Sequence, residues 1–339
     1  MITTTDKTPT ELQQEFYSKK YYLSYSALSK IMYSPSLFYR HYVLQQREEK
    51  LDTYLIDGKV IHCLLLDDGS FDKQFILMPS SLPTGNTRLV VDKVYASYIE
   101  LKDDSSVLLA AYENSILNTL KEIKLHQSLK TDQQRLDKIL TEESKSYFEF
   151  LKIKGDKNLL DSETLQRCNE AVTAVKDNPT ACNLLGLDKH EMDEIDIFNE
   201  IPLQSDLVDV YPFGVKGIVD NIKVDHVAKT IYINDLKTTG KTINDFKETV
   251  DYYNYWAQAA IYFRLVKEAF KDLLTGDWKL EFNFIVVDKY NQVYSFNVSK
   301  VSMMKWDDDL EKKLIEFEWH YTEKKYVLPY QFATSKVIL

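Results

Sequence analysis

Two strand-like segments carry the side chains in this sequence that are best suited to chemistry. Apolar and polar side chains alternate in residues 215–224 and 230–237, and both segments are rich in β-branched side chains. Side chains two apart on a strand share a face, so Asp235 and Lys237 point the same way, and a hairpin would bring Asp220 to that face. Two carboxylates beside a lysine can hold Mg²⁺ and activate a water for cutting a phosphodiester. The alternative is an exposed sheet face with an ordinary Asp/Lys ion pair.

Three further motifs accompany these strands. Residues 58–66 (GKVIHCLLL) predict an apolar helix that contains His62. Residues 255–262 predict a helix in which Gln258 and Tyr262 lie one turn apart on one face. Near the start, LSYSALSKI at residues 23–31 is followed shortly by SPSLF.

In this order the motifs resemble the exodeoxyribonuclease VIII branch of the PD-(D/E)xK nuclease superfamily, over about residues 20–80 and 190–265. The resemblance implies an α/β, restriction-endonuclease-like fold, in which helices flank a mixed β-sheet core. It also implies a metal-dependent exonuclease that hydrolyses phosphodiester bonds of linear double-stranded DNA, as phage and prophage recombination enzymes do. The implied polarity is 5′→3′, which generates 3′ overhangs for recombination.

The same resemblance assigns a metal site. Asp220 and Asp235 are the expected carboxylate ligands, the backbone carbonyl of Leu236 helps to hold the metal, and His62 is a further ligand. The expected ion is Mg²⁺, and the imidazole suggests that Mn²⁺ serves as well. From the apolar residues around it alone, His62 would be interpreted as a histidine of the hydrophobic core.

The remaining catalytic residues would act on the water and the substrate. Lys237 is expected to orient the attacking water and stabilise the charge that grows on phosphorus. Gln258 and Tyr262 match residues that lie near the scissile phosphate in related nucleases, although their helix could simply pack on the sheet. Lys216 and Thr238 flank the carboxylates and are candidates for phosphate contact.

One acidic position is ambiguous. Glu194 opens the strand before Asp220 and is the expected further metal ligand in the resemblance. Glu200 competes with it, because the spacing does not decide between them, and either could be a solvated strand residue.

Composition limits the function classes. The chain has 339 residues, of which 44% are hydrophobic and 13% aromatic, so a folded core is expected rather than disorder. A net charge of −10 is unusual for a protein that contacts DNA phosphates, although residues 201–300 are nearly balanced. We therefore expect DNA ends to be enclosed in a confined channel, as in a ring-shaped homo-oligomer, rather than bound on an open basic face.

The cysteine content and the motifs that the sequence lacks limit the expected compartment and cofactors. Cys63, Cys168 and Cys182 are widely spaced, which indicates a reducing cytoplasm and no Fe–S cluster, since a cluster needs four ligands. No run of 18 apolar residues and no signal-peptide layout is found, so no membrane association is expected. The sequence contains no P-loop, so ATP-driven unwinding would have to come from another protein.

The expected organisation is a flexible N-terminus over residues 1–20 and a single nuclease domain over 21–339, with a helical insertion at about 93–180. Within it, residues 71–79 predict an edge strand, 207–210 a short strand and 244–270 one long helix.

Other functions remain open at this point. The chain could be a structure-specific nuclease or the nuclease subunit of a helicase–nuclease complex. It could also be a non-catalytic DNA-binding module of the same fold. A neighbouring gene for a single-strand annealing protein would favour the recombination exonuclease, and a helicase gene would favour the complex.

Overall fold

The computed structural model describes residues 7–46, 53–102, 104–188, 194–206 and 210–335. Its α-helices are α1 Pro9–Ser18, α2 Tyr25–Tyr33, α3 Pro35–Phe38, α4 Thr53–Leu66, α5 Phe71–Gln74, α6 Gly85–Leu101, α7 Glu113–Glu122, α8 Asp132–Ile139, α9 Glu142–Lys154, α10 Ser162–Asp177, α11 Pro179–Leu185, α12 Phe246–Tyr252, α13 Tyr255–Ala269, α14 Lys300–Glu323 and α15 Tyr330–Thr334. Its strands are β1 Tyr22–Ser24, β2 Phe75–Leu77, β3 Asn158–Leu160, β4 Ile195–Ser205, β5 Gly214–Asp225, β6 Thr230–Thr239, β7 Lys279–Asp288 and β8 Val293–Asn297. None of the described helices is both long enough and apolar enough to cross a lipid bilayer.

The chain divides into two compact units. Residues 69–167 form the smaller unit, in which α6 to α9 enclose an apolar core around Val90, Ile116 and Phe148 beside the parallel pair β2–β3. The larger unit contains residues 1–68 and 168–339. The helical insertion expected at about 93–180 overlaps the smaller unit over residues 93–167.

A mixed six-stranded sheet is the centre of the larger unit. Its order is β1-β5-β6-β7-β8, and β4 lies antiparallel along β5. The pairs β1–β5 and β6–β7 are parallel, whereas β5–β6 and β7–β8 are antiparallel hairpins. Helix α13 packs on this sheet and on α14, and its small residues Ala257, Ala259 and Ala260 are fully buried. This architecture confirms the predicted α/β fold with a mixed sheet and flanking helices.

On one edge of β5, two different strands pair with separate stretches of the strand, and we call this arrangement the fork. Strand β6 pairs with β5 from Asn221 to Asp225, and β1 pairs with β5 from Gly214 to Lys216. Between these stretches, the register among the described residues gives positions 217–220 of β5 a partner on the β4 side only. The fork leaves a gap at the edge of β5 that side chains can line.

A row of asparagine side chains crosses the sheet on the face opposite to the one that carries Asp220 and Asp235. Register places the five asparagines of this row opposite one another on five strands, and four side-chain amides each donate to the side-chain oxygen of the asparagine before it, at 2.7–3.0 Å. The row consists of Asn199, Asn221, Asn234, Asn283 and Asn297. We call it the asparagine ladder.

The C-terminus of α11 is held against this face. Asn221 and Asn234 donate to the carbonyl oxygens of Leu185 and Leu184, and Nζ of the buried Lys223 donates to the carbonyl of Asn183. These donors satisfy carbonyls that the helix leaves free at its end, and the ammonium complements the negative end of the helix dipole.

Several segments differ from the sequence expectations. The segment expected as an edge strand at 71–79 begins with helix α5 and continues as β2, and this turn brings the Phe71 and Phe75 rings to 5.3 Å of each other. The long helix expected over 244–270 is divided into α12 and α13 at Asn254, whose φ of 57° lies in the left-handed region. The expected strand at 207–210 falls largely outside the described residues. Within the N-terminus expected to be flexible, α1 spans Pro9–Ser18 and buries Leu12.

Candidate functional site

Two carboxylates face each other across neighbouring strands at the fork. The β4–β5 register pairs Asn199 with Asn221 and Ile201 with Val219, so Glu200 stands opposite Asp220. Glu200 has a φ of 50°, a left-handed conformation that costs a non-glycine residue energy and that concentrates at functional sites. Like charges directly opposite on a sheet destabilise it unless a cation compensates them.

Helix α4 brings a histidine to these carboxylates. Gly58 lets the helix approach β6 closely, since a Cβ atom at this position would lie 3.2 Å from Oγ1 of Thr238. One turn later, Nε2 of His62 is 2.9 Å from the carbonyl oxygen of Leu236, which fixes the proton on Nε2. Nδ1 then faces Oε1 of Glu200 at 3.6 Å and Oδ2 of Asp220 at 3.8 Å.

The carboxylates control the charge of His62. Burial acts to lower the pKa of His62, but the carboxylates of Asp220 and Glu200 outweigh it, and the pKa is raised above its ordinary value. Without a cation, the two acids therefore favour the protonated form of His62, which partly neutralises them. Asp220 is also held by the backbone N–H of Leu236, which donates to its Oδ2 at 2.8 Å.

The pair Asp235 and Lys237 lies on the same face of β6. Asp235 is fully buried, and Nζ of Lys237 forms an ion pair with its Oδ2. Neither carboxylate oxygen has a well-formed hydrogen bond from the described residues. Burial raises the pKa of Asp235 to about 6 despite the opposing charge of Lys237, and the nearby Asp220 adds to the increase.

The lysine of this pair stays charged. Burial acts to lower the pKa of Lys237, but Asp235 and then Asp220 more than offset it, so the pKa is raised. Its Nζ also lies 4.9 Å from the centroid of the Tyr255 ring, a cation–π contact. The ammonium is thus held in place by charge on one side and by an aromatic face on the other.

Helix α13 places two polar side chains over the fork. Nε2 of Gln258 donates to the hydroxyl of Tyr262 at 3.1 Å, while the buried Oε1 of Gln258 has no hydrogen-bond partner among the described residues. The Tyr262 ring lies directly over Gly217, where a Cβ atom would come within 2.5 Å of Cε1. Burial first, and then Asp220 and Asp235, raise the pKa of Tyr262 well above its ordinary value, so its hydroxyl remains a donor.

An open groove of about 730 Å³ adjoins Tyr262 in the larger unit. Polar side chains at its wall include Ser24, Ser26, Gln204 and Lys216.

The structure brings together most of the residues predicted from the sequence. The atoms of His62, Glu200 and Asp220 that could hold a metal lie within 4.8 Å of one another. This group of three interacts electrostatically with Asp235 and Lys237. It also interacts with Tyr262, the hydrogen-bond partner of Gln258. Lys216 lines the groove and Thr238 lies against α4.

Two of the predicted metal ligands are placed differently. Glu194 is not brought to the site: it precedes β4, and its backbone carbonyl accepts from the N–H of His226 at the far end of the hairpin. Glu200 takes its place, because β4 runs six residues further before it reaches Asp220. The carbonyl of Leu236 is at the site, but its hydrogen-bond partner is His62.

The donor set fits a divalent cation. Carboxylate oxygens are the ligands that Mg²⁺ prefers, and one imidazole nitrogen extends the set to Mn²⁺. The cross-strand acid pair and the unsatisfied buried Asp235 are the features that a positive ion would stabilise. Glu200, Asp220 and Nδ1 of His62 could hold such an ion, with Asp235 beside them.

No protein-family model matches this chain, and no curated protein matches its sequence. Among solved structures, the chain is similar to a protein from Eubacterium rectale described as a "Putative exonuclease", with 11% sequence identity and a TM-score of 0.49. That similarity covers 99% of this chain and 96% of the other. A likeness of this degree assigns no role to any residue of the site.

Proposed function

We propose that this chain is a divalent-metal-dependent deoxyribonuclease. The observation that carries the proposal is the group of charges at the fork, where Glu200 opposes Asp220, Nδ1 of His62 faces both, and a buried Asp235–Lys237 pair adjoins them. A sheet that only had to be stable would not gather three carboxylates here, since burial and like charges both disfavour them.

Each residue has a role in phosphodiester hydrolysis. A divalent cation would supply Lewis acidity toward a phosphate oxygen and lower the pKa of a water. His62, Glu200 and Asp220 would bind it. Lys237, kept charged by Asp235, orients the attacking water and offsets negative charge that develops on the phosphate oxygens.

The helix residues are suited to the substrate side. The hydroxyl of Tyr262 can donate to a phosphate oxygen, and the unsatisfied Oε1 of Gln258 can accept from a water. The groove beside Tyr262, with Lys216 and the serines of its wall, accommodates the strand next to the scissile bond.

The finer proposal is an exonuclease that acts on ends of linear double-stranded DNA. Its support is the sequence resemblance together with the net charge of −10, which disfavours an open basic surface and favours an oligomer that encloses the end. The proposed polarity is 5′→3′, leaving 3′ overhangs for an annealing protein in recombination. This polarity and this partner rest on the resemblance alone.

End-labelled linear duplex, incubated with and without Mg²⁺ or Mn²⁺ beside a covalently closed circle of the same sequence, tests the proposal. We expect digestion of the linear DNA only, and only with metal. Efficient cutting of the closed circle would identify an endonuclease instead. DNA binding without cleavage in either metal would contradict a nuclease and indicate the non-catalytic module.

A further inference from the structure

Three tyrosines form a continuous row from the proposed catalytic lysine to the protein surface. The Tyr255 ring, 4.9 Å from Nζ of Lys237, stacks with the Tyr253 ring at 5.6 Å and an interplanar angle of 26°. Tyr253 in turn contacts Tyr252 edge-to-face at 4.9 Å. We call Tyr252, Tyr253 and Tyr255 the tyrosine ridge.

The outer part of the ridge is open. Tyr252 is 74% exposed and Tyr253 is 48% exposed, so two aromatic rings meet solvent beside a polar site. Exposed aromatic surface of this kind is costly in water and marks places where another molecule binds.

The backbone that carries the ridge is tied to a neighbouring helix. It occupies the break between α12 and α13, where Asn254 has a left-handed conformation. The hydroxyl of Tyr25 donates to the carbonyl oxygen of Tyr253 at 2.5 Å, and this bond ties the break to α2. Restraint of this backbone reduces the entropy lost when a ligand binds to the ridge.

Cationic groups flank the ridge at both ends. Nζ of Lys241 lies 5.8 Å from the centroid of the Tyr252 ring, and Lys237 stands at the other end over Tyr255. Aromatic faces flanked by ammonium groups suit a strand of nucleic acid, whose bases stack and whose phosphates are negative.

We propose that the ridge is a stacking platform for unpaired bases of a DNA strand next to the scissile phosphate. The inference rests on the proposed nuclease function and adds how the substrate is held. Base stacking does not depend on the net charge of the protein, so it provides affinity where a chain of net charge −10 attracts phosphates weakly. The Tyr253 ring stacks on Tyr255, which in turn contacts Lys237. A base stacked on Tyr253 therefore belongs to a nucleotide near the bond that is cut.

The test uses 2-aminopurine, a fluorescent base that is quenched when it stacks. It is placed at successive positions of a single-stranded oligonucleotide and of each end of a linear duplex, with Ca²⁺ in place of Mg²⁺ during binding. The variants are Tyr252→Leu and Tyr253→Leu, which keep an apolar side chain but remove the ring. Tyr253→Phe keeps the ring, and Tyr33→Leu removes a tyrosine that is 82% exposed at the end of α2.

We expect the wild-type protein to quench the probe at one or a few positions. Each leucine variant should lose that quenching and bind the oligonucleotide on the order of 5- to 100-fold more weakly, whereas Tyr253→Phe and Tyr33→Leu bind as the wild type does. Leucine variants that keep both the quenching and the affinity would overturn the platform.

Cleavage assays separate this inference from the proposed function. If the wild type digests DNA in Mg²⁺ while the leucine variants quench and bind normally, the platform fails and the nuclease stands. If the wild type quenches through the ridge but never cleaves, the platform stands and the nuclease fails. A wild type that binds no DNA overturns both.

Discussion

Asn234 donates its side-chain amide to Oδ1 of Asn221 at 2.7 Å, directly behind the two carboxylates of the proposed site. Asp220 and Asp235 are the next residues along the same two strands, and alternation along a strand turns them to the opposite face. The same holds on β4, where Asn199 of the ladder precedes Glu200. Each acidic residue that faces the fork thus has a ladder asparagine as its neighbour.

This arrangement gives the ladder a positioning role. A slip of one residue in β4, β5 or β6 would turn the acidic side chain of that strand away from the fork and its asparagine toward the fork. Because each buried amide needs its partners on the adjacent strands, the ladder makes such a slip costly.

Removing the centre of the ladder should destabilise the protein. Asn234→Ala deletes the hydrogen bonds to Asn221, Asn283 and the carbonyl of Leu184, and leaves buried groups unsatisfied. We expect the free energy of unfolding to fall by roughly 3 kcal/mol, as measured by denaturant titration. Asn297→Ala, at the exposed end of the ladder, should cost about 1 kcal/mol or less, since one bond is lost. Equal losses for the two variants would argue against the ladder as a cooperative unit.

The raised pKa of Asp235 predicts a pH dependence of stability. The folded-state pKa of about 6 exceeds the unfolded value, so the stabilising contribution is complete below the unfolded pKa and is lost as pH rises through 6. Asp235→Asn does not ionise and escapes this loss. Between pH 4 and 7, without metal, the variant should gain roughly 2 kcal/mol relative to the wild type. Urea titrations across this range measure the difference, and a constant difference would show that Asp235 is not a destabilised acid.

Glu200 and Glu194 form a matched pair for testing the metal site. Glu200→Gln removes one carboxylate from the group around Nδ1 of His62, so Mn²⁺ binding in titration calorimetry and the metal-induced rise in melting temperature should both be lost. Glu194→Gln should change neither. Loss of metal binding in Glu194→Gln, or its retention in Glu200→Gln, would reverse the assignment.

The sequence predicts most of this site because the relevant signals are local. Strand alternation places Asp235 and Lys237 on one face, and helix periodicity places Gln258 beside Tyr262, as the structure has them. The choice between Glu194 and Glu200 is not local. The two are six residues apart, so strand alternation alone does not distinguish them, and only the register of β4 with β5 shows that Glu200 meets Asp220.

Other features are hidden from the sequence for similar reasons. The break at Asn254 depends on tertiary contacts, such as the bond from Tyr25 to Tyr253, that overcome an otherwise helical pattern. A signal for Glu200 does exist: in three strands an asparagine adjoins an acidic residue, at Asn199-Glu200, Asp220-Asn221 and Asn234-Asp235. Asparagine is uncommon inside strands, so its repetition next to acids indicates a cross-strand row.

The last prediction separates the role of Lys237 from that of the carboxylates. An ammonium cannot ligate a cation, so Lys237→Ala should bind Mn²⁺ as the wild type does, or slightly more tightly because a nearby positive charge is removed. Turnover should fall by a factor on the order of 10²–10³, as when one group that stabilises a transition state is deleted. Asp220→Ala should instead lose both metal binding and turnover. Titration calorimetry with Mn²⁺ and single-turnover cleavage of end-labelled duplex measure the two quantities independently. If Lys237→Ala kept full turnover, or lost metal binding as Asp220→Ala does, the lysine would be only the structural partner of Asp235.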